Sequence, residues 1–195
     1  MSLYIAILAI IMSCGNNKDT SKSEEKIPEE VLVQPEIENE DEHELEYDDM
    51  PMLIGKFTKE DLQKAPYDRW FNSRYENFNP SDETMETIKN NISDYEIVAF
   101  MGTWCVDSRR EIPKLFKILD QAGYDLSKFT IVGVDMNKVT PEKTEAEWDI
   151  NFVPTIIFLK DGKEVNRFVE YPKTSVEEDI ADIVSGKEYK NSYSN

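Results

Sequence analysis

The strongest constraint on how this chain folds is a junction near its middle. Tyr95-Glu96-Ile97-Val98-Ala99-Phe100-Met101 is an apolar, β-branched run of strand length, and from Arg109 to Gly123 the apolar residues Ile112, Leu115, Phe116 and Leu119 recur at helical spacing. A strand therefore hands over to a helix across Gly102 to Ser108. Cys105 sits in that handover, directly after Trp104.

A thiol at such a place has chemistry available to it. The first-turn amides of a helix point partial positive charge at whatever lies there, which favours a thiolate, the nucleophilic form. Arg109 and Arg110 add positive charge nearby. Asp107 works against them or serves as a proton carrier, and the sequence leaves both open. Ser108, three residues after Cys105 on the same helix face, is placed to donate a hydrogen bond to the sulfur.

The pattern around this junction resembles the thioredoxin superfamily. Trp104-Cys105-Val106-Asp107-Ser108 looks like that family's Trp-Cys-x-x-Cys site with serine in the last position, and Pro113 matches the proline within its active-site helix. Downstream, Phe129–Asp135 reads as a strand, Glu142–Trp148 as a short helical stretch, and Phe152–Leu159 as a strand opened by a family-like Val153-Pro154-Thr155. Lys160-Asp161-Gly162-Lys163 is a hairpin turn signal, Glu164–Glu170 a last strand, and Ser175–Ser185 a helix capped by Ser175. The resemblance covers residues 93–186. It implies an α/β thioredoxin-like fold, a central mixed β-sheet flanked by helices, with a helical and aromatic N-terminal extension. It also implies a cis Val153-Pro154 bond facing Cys105, with Trp104 shielding the sulfur and Pro154 helping to receive a substrate strand.

Two departures narrow the activity. Ser108 removes the resolving cysteine, and Ala99 stands where many thioredoxins carry a buried acid. Ordinary dithiol reduction needs both parts. What survives is a monothiol thiol–disulfide oxidoreductase or isomerase, in which Cys105 forms mixed disulfides that an external thiol resolves. Its partners would be protein or low-molecular-weight thiols and disulfides. The alternative is a redox-inactive binding module that holds a partner chain at the cis-proline groove. An iron–sulfur site of the monothiol glutaredoxin kind fits an exported chain badly.

The second of the two cysteines, Cys14, has a different context. Leu3–Met12 is an apolar run too short to span about 30 Å of hydrocarbon. Its end, Ile11-Met12-Ser13-Cys14, resembles the lipobox of bacterial lipoproteins, although no Lys or Arg precedes it. That resemblance implies cleavage before Cys14 and lipid on its thiol. It places the protein in the bacterial cell envelope, facing the periplasm or the cell surface.

Residues 15 to 52 hold fourteen acids and three lysines, eleven of the chain's eighteen net negative charges. Such a segment cannot bury enough apolar surface to offset chain entropy, so it reads as an extended, disordered tether. His43, the one histidine, falls inside it, which excludes a Cys-His protease site. The expected organisation is a signal peptide at 1–13, a tether at 14–52, a packed extension at 53–92, the thioredoxin-like domain at 93–188 and a disordered tail at 189–195. Within the extension, Tyr67, Trp70, Phe71, Tyr75 and Phe78 read as core in preference to a ligand groove. An acidic pI near 4.4 excludes nucleic-acid binding, and no Cys or His cluster has zinc spacing. No cofactor is implied, and the expected state is a monomer.

Overall fold

The computed structural model describes residues 50–194. Cys14, the apolar run before it, His43 and nearly all of the expected tether lie outside the described residues. Among those described, one sheet has the strand order β1-β3-β2-β4-β5, with β1 at Gly55–Phe57, β2 at Glu96–Met101, β3 at Phe129–Gly133, β4 at Thr155–Lys160 and β5 at Lys163–Val169. Strands β2 and β3 are parallel, and the other pairings are antiparallel. A parallel pair needs a long crossover, which is the helix α4 at Val106–Ala122.

Alternation along the strands divides the core in two. Ile97, Ala99 and Met101 of β2, Ile131 of β3, Ile156 and Phe158 of β4 and Phe168 of β5 pack in one cluster with residues of the helices α2 (Asp68–Asn77), α3 (Asp82–Asn91), α4 and α5 (Val176–Val184). Phe100, Val132, Ile157 and Leu159 belong to a second cluster, against which Trp104, Trp148 and Ile150 pack. The sheet is mixed and flanked by helices, as the resemblance implies.

Local sequence accounts for the helix limits. Ile112, Leu115, Phe116 and Leu119 of α4 are all buried, and Gly123, at a φ of 65°, ends the helix in the left-handed region that favours glycine. The short helix α1 (Lys59–Leu62) begins at a capping box made by Thr58 and Asp61. Ser81 caps α3 by accepting from Thr84 N–H, and Ser175 caps α5 by accepting from Glu178 N–H.

The N-terminal extension is part of the core. Tyr67, Trp70 and Phe71 are buried, and the Phe71 ring meets Phe116 of α4 edge-on at 5.7 Å. Tyr75 and Phe78 pack partly buried against the same cluster, so the aromatics are core residues as expected.

Three expectations need correction. Residues 142–148 form successive turns, not a helix, because Trp148 packs on the sheet and Arg167 of β5 donates to the Trp148 carbonyl at 2.8 Å. The expected tether boundary at residue 52 is too late: Met50 packs against the core, and Tyr67 donates its hydroxyl to the Pro51 carbonyl at 2.8 Å. The described part of the tail is also held in place. Tyr189 donates to Asp179 at 2.9 Å, and Tyr193 stacks on Phe152.

Candidate active site

Cys105 is the N-cap residue of α4, just past the end of β2. Its carbonyl accepts the first helical bond from Arg109 N–H at 3.0 Å, and its own N–H donates to Gly102 at 3.0 Å. The turn is tight at Gly102, where a Cβ would sit 2.4 Å from the Trp104 indole, so only glycine fits. The indole is fixed in turn, with Nε1 donating to the Val134 carbonyl at 2.9 Å. Leu53 N–H donates to Thr103 Oγ1 at 3.2 Å, which ties the N-terminal extension to the same loop.

The thiol faces the loop before β4. Cys105 Sγ–H donates to the Val153 carbonyl at 3.1 Å, and the Val153-Pro154 bond is cis, as the resemblance implies. Neighbouring carbonyls of this loop are held too. Phe152 accepts from the Thr155 hydroxyl and Pro154 from Glu170 N–H, each at 2.7 Å. The thiol and the cis-proline loop thus form one fixed unit, and the sulfur is nearly buried, at 9% exposure for the residue.

The remaining candidates divide. Trp104 packs against the cluster that holds Cys105, and Pro154 follows directly on the Val153 carbonyl that the thiol meets. Ser108 does not take the expected role: it is fully buried, and its Oγ accepts from Gly102 N–H at 3.2 Å, so its bond is to the turn and not to the sulfur. Asp107 forms an ion pair with Arg110, which also meets Glu111 at 2.6 Å. Burial works against the Arg110 charge, but its bonds to Glu111 and Asp107 outweigh that and raise its pKa. Asp107 is therefore engaged along the helix surface. Arg109 is buried, not solvated. Ala99 lies fully buried among apolar residues.

Sequence reasoning missed the polar partners Gly102, Thr103 and Val134, and it missed Tyr193. Only Gly102 left a signal, as the one glycine between strand and helix.

The sequence profile of the family described as Thioredoxin matches residues 79–183, more than half of the chain. The chain belongs to the thioredoxin family. Among similar proteins, the TPR repeat-containing thioredoxin TDX of Arabidopsis thaliana is 35% identical over 91 residues, covering 47% of this chain and 22% of that protein. Thioredoxin H-type 1 of Nicotiana tabacum is 34% identical over 84 residues, covering 43% of this chain and 62% of the relative. Thioredoxin-like protein CXXS2 of Arabidopsis thaliana is 26% identical over 73 residues, covering 37% and 44%. This thioredoxin-family chain spans less than two thirds of the length of each of these relatives.

Proposed function

We propose that this chain is a membrane-anchored monothiol thiol–disulfide oxidoreductase that works through mixed disulfides on Cys105. The observation that carries the reading is one thiol at the N-cap of α4, held against the Val153 backbone beside Pro154, with Ser108 where a second cysteine would stand. The name of the relative CXXS2 spells the same spacing as Cys105 to Ser108.

The Cys105 thiolate attacks one sulfur of a substrate disulfide. A new S–S bond forms, the old one breaks, and the second sulfur leaves as a thiolate that takes a proton from solvent. An external thiol, of low molecular weight or on a protein, then attacks the substrate sulfur of the mixed disulfide and regenerates the Cys105 thiolate. Net exchange leaves that external thiol oxidised into a disulfide and the first leaving sulfur reduced. Attack by the substrate's own second cysteine gives isomerisation instead. Pro154 and the Val153 backbone receive the substrate chain as an added strand, and Trp104 shields one flank of the sulfur.

Lipid on Cys14 would hold the domain at a membrane of the bacterial cell envelope, with the acidic segment after it as a spacer. Ile11-Met12-Ser13-Cys14 supports this. Replacing Cys14 by Ser should release the chain from membranes, and unchanged retention would overturn the anchor.

A binding module without redox turnover is the second reading. It is favoured by Ala99, which leaves no carboxylate at that position, and by the burial of Cys105. Capture of mixed disulfides on the full chain separates the two. Thiol-sensitive adducts that vanish in Cys105→Ser support exchange, whereas a partner retained equally by Cys105→Ser supports the binding module.

A further inference from the structure

Phe152, Tyr171 and Tyr193 make an exposed aromatic patch that begins one residue from the contact between Cys105 and Val153. The Tyr193 ring lies on Phe152 with centroids 3.9 Å apart and planes 14° apart, and Tyr171 meets Tyr193 edge-on at 5.9 Å. The three residues remain 36%, 44% and 42% exposed for Phe152, Tyr171 and Tyr193. Their placement is specific: the Ser192 hydroxyl donates to the Tyr171 carbonyl at 2.7 Å, the Asn166 amide to the Tyr189 carbonyl at 3.1 Å, and the Tyr193 hydroxyl to Glu170.

A cleft of about 230 Å³ adjoins the stack, with Asp149, Asn151 and Arg167 in its lining. Arg167 is committed elsewhere, to both Glu164 oxygens at 2.6 Å and to the Trp148 carbonyl. Glu170 accepts from the Tyr193 hydroxyl beside the rings, and Asp149 lines the cleft, where it accepts from the Asn151 amide at 3.1 Å and its charge also acts on Arg167. Aromatic faces carry negative quadrupole density, so rings bordered by carboxylates attract a cation and repel an anion. Eighteen net negative charges on the chain, seven of them after residue 52, favour the same partner. A substrate strand lying along Val153 advances about 3.3 Å per residue, which brings side chains within two positions of its cysteine over the patch.

We propose that this patch is a specificity site that takes an arginine or lysine side chain from the polypeptide whose disulfide Cys105 attacks. The inference rests on Cys105 being an exchange nucleophile. Tyr193 and Phe152 supply the ring face, and Glu170 supplies the charge that selects a cation. Segment 189–194 is then part of the substrate-docking surface.

The test uses the full chain carrying Cys14→Ser, so that Cys105 is its one thiol. Synthetic cysteine peptides are linked by a disulfide to thionitrobenzoate and carry Arg, Leu or Glu at the second position on either side of the cysteine. Release of the chromophore gives the attack rate, and dithiobis(nitrobenzoate) alone reports whether Cys105 attacks disulfides at all. The Arg peptide should react about fivefold faster than the Leu peptide and faster still than the Glu peptide. Tyr193→Ala, which removes a ring, and Glu170→Gln, which keeps the rings and removes the charge, should each bring the Arg-to-Leu ratio toward one. Equal rates for the three peptides, a Leu peptide that reacts fastest, or an Arg preference that survives both variants overturns the specificity site alone. No release from any reagent overturns the exchange reading as well.

Discussion

The Cys105 thiol donates to the carbonyl of Val153, so the thiol and the cis-proline loop are partners in one hydrogen bond at 3.1 Å. Forming the thiolate removes that donor. Under the proposed function, the Val153 carbonyl would then be free to accept an N–H from an incoming strand, which would couple activation of the sulfur to reception of a chain. Ser108 contributes from behind, by holding the Gly102 amide at the turn.

Ser108→Ala should therefore cost stability and not chemistry. The buried Gly102 N–H would lose its acceptor, at about 1–3 kcal/mol. A lowered urea midpoint with an unchanged iodoacetamide rate at Cys105 is expected. A slowed alkylation with stability intact would return Ser108 to the sulfur.

Ser108→Cys should convert the site to a dithiol. Residues one helical turn apart at the start of α4 fall within the roughly 4.4–6.8 Å Cα separation that a disulfide spans. Oxidation should lower the intact mass by that of two hydrogens and block Cys105 to alkylation. A Cys105 that stays reactive after oxidation would show that the two sulfurs do not meet.

Phe71→Ala tests whether the extension is integral. Phe71 is fully buried against Phe116, so its loss should cost about 3–5 kcal/mol. Urea unfolding followed by circular dichroism should show one transition shifted as a whole. A separate early transition with the main midpoint unmoved would make the extension an appendage.

Arg167→Met should loosen the turns over the second sheet face. The guanidinium donates to the Trp148 carbonyl, and loss of that charged bond should raise opening on the order of tenfold. Limited trypsin digestion should cut faster after Lys143, which lies in those turns. Equal cleavage rates would mean that Trp148 and Ile150 hold the segment without the arginine.

These cases show where the sequence was readable. The strand before Cys105, the amphipathic stripe of α4 and the Ser175 cap depend on neighbours a few residues away, and each appears in its expected place. Residues 142–148 have helical composition, but Arg167 and the apolar face of β2 and β4 decide their path from far along the chain. Tyr189 and Tyr193 give no local sign of order, because their partners Asp179, Glu170 and Phe152 lie 10 to 41 residues earlier. At the site, the thiol, the indole and the cis proline were legible from the family resemblance. The role of Ser108 was not, since the acceptor a buried amide finds depends on the shape of the turn.

Asp179 should give the fold a pH dependence of unusual sign for a carboxylate. Its side chain is almost fully buried and accepts from Lys173 N–H at 2.8 Å, Thr174 N–H at 3.3 Å and the Tyr189 hydroxyl at 2.9 Å. Burial pushes its pKa above the ordinary value by more than the bonds from Lys173, Tyr189 and Thr174 pull it down. A group raised in the folded state binds its proton more tightly there than in the unfolded chain. Its contribution is therefore fully present below the unfolded value, about 3.9, and is lost as pH rises through the folded one. Asp179→Asn lacks this titration and sets an amide group against the N–H donors, at about 1–3 kcal/mol. The parent should melt higher than the variant near pH 4, and that gap should narrow as pH is raised to 8. The nearby Asp182 charge adds to the upward push on Asp179, and the effects of acids that do not interact with Asp179 are common to both proteins and cancel in the difference. Thermal melts of the pair across this range check it, and a gap that widens with pH would place the Asp179 carboxyl below its ordinary value.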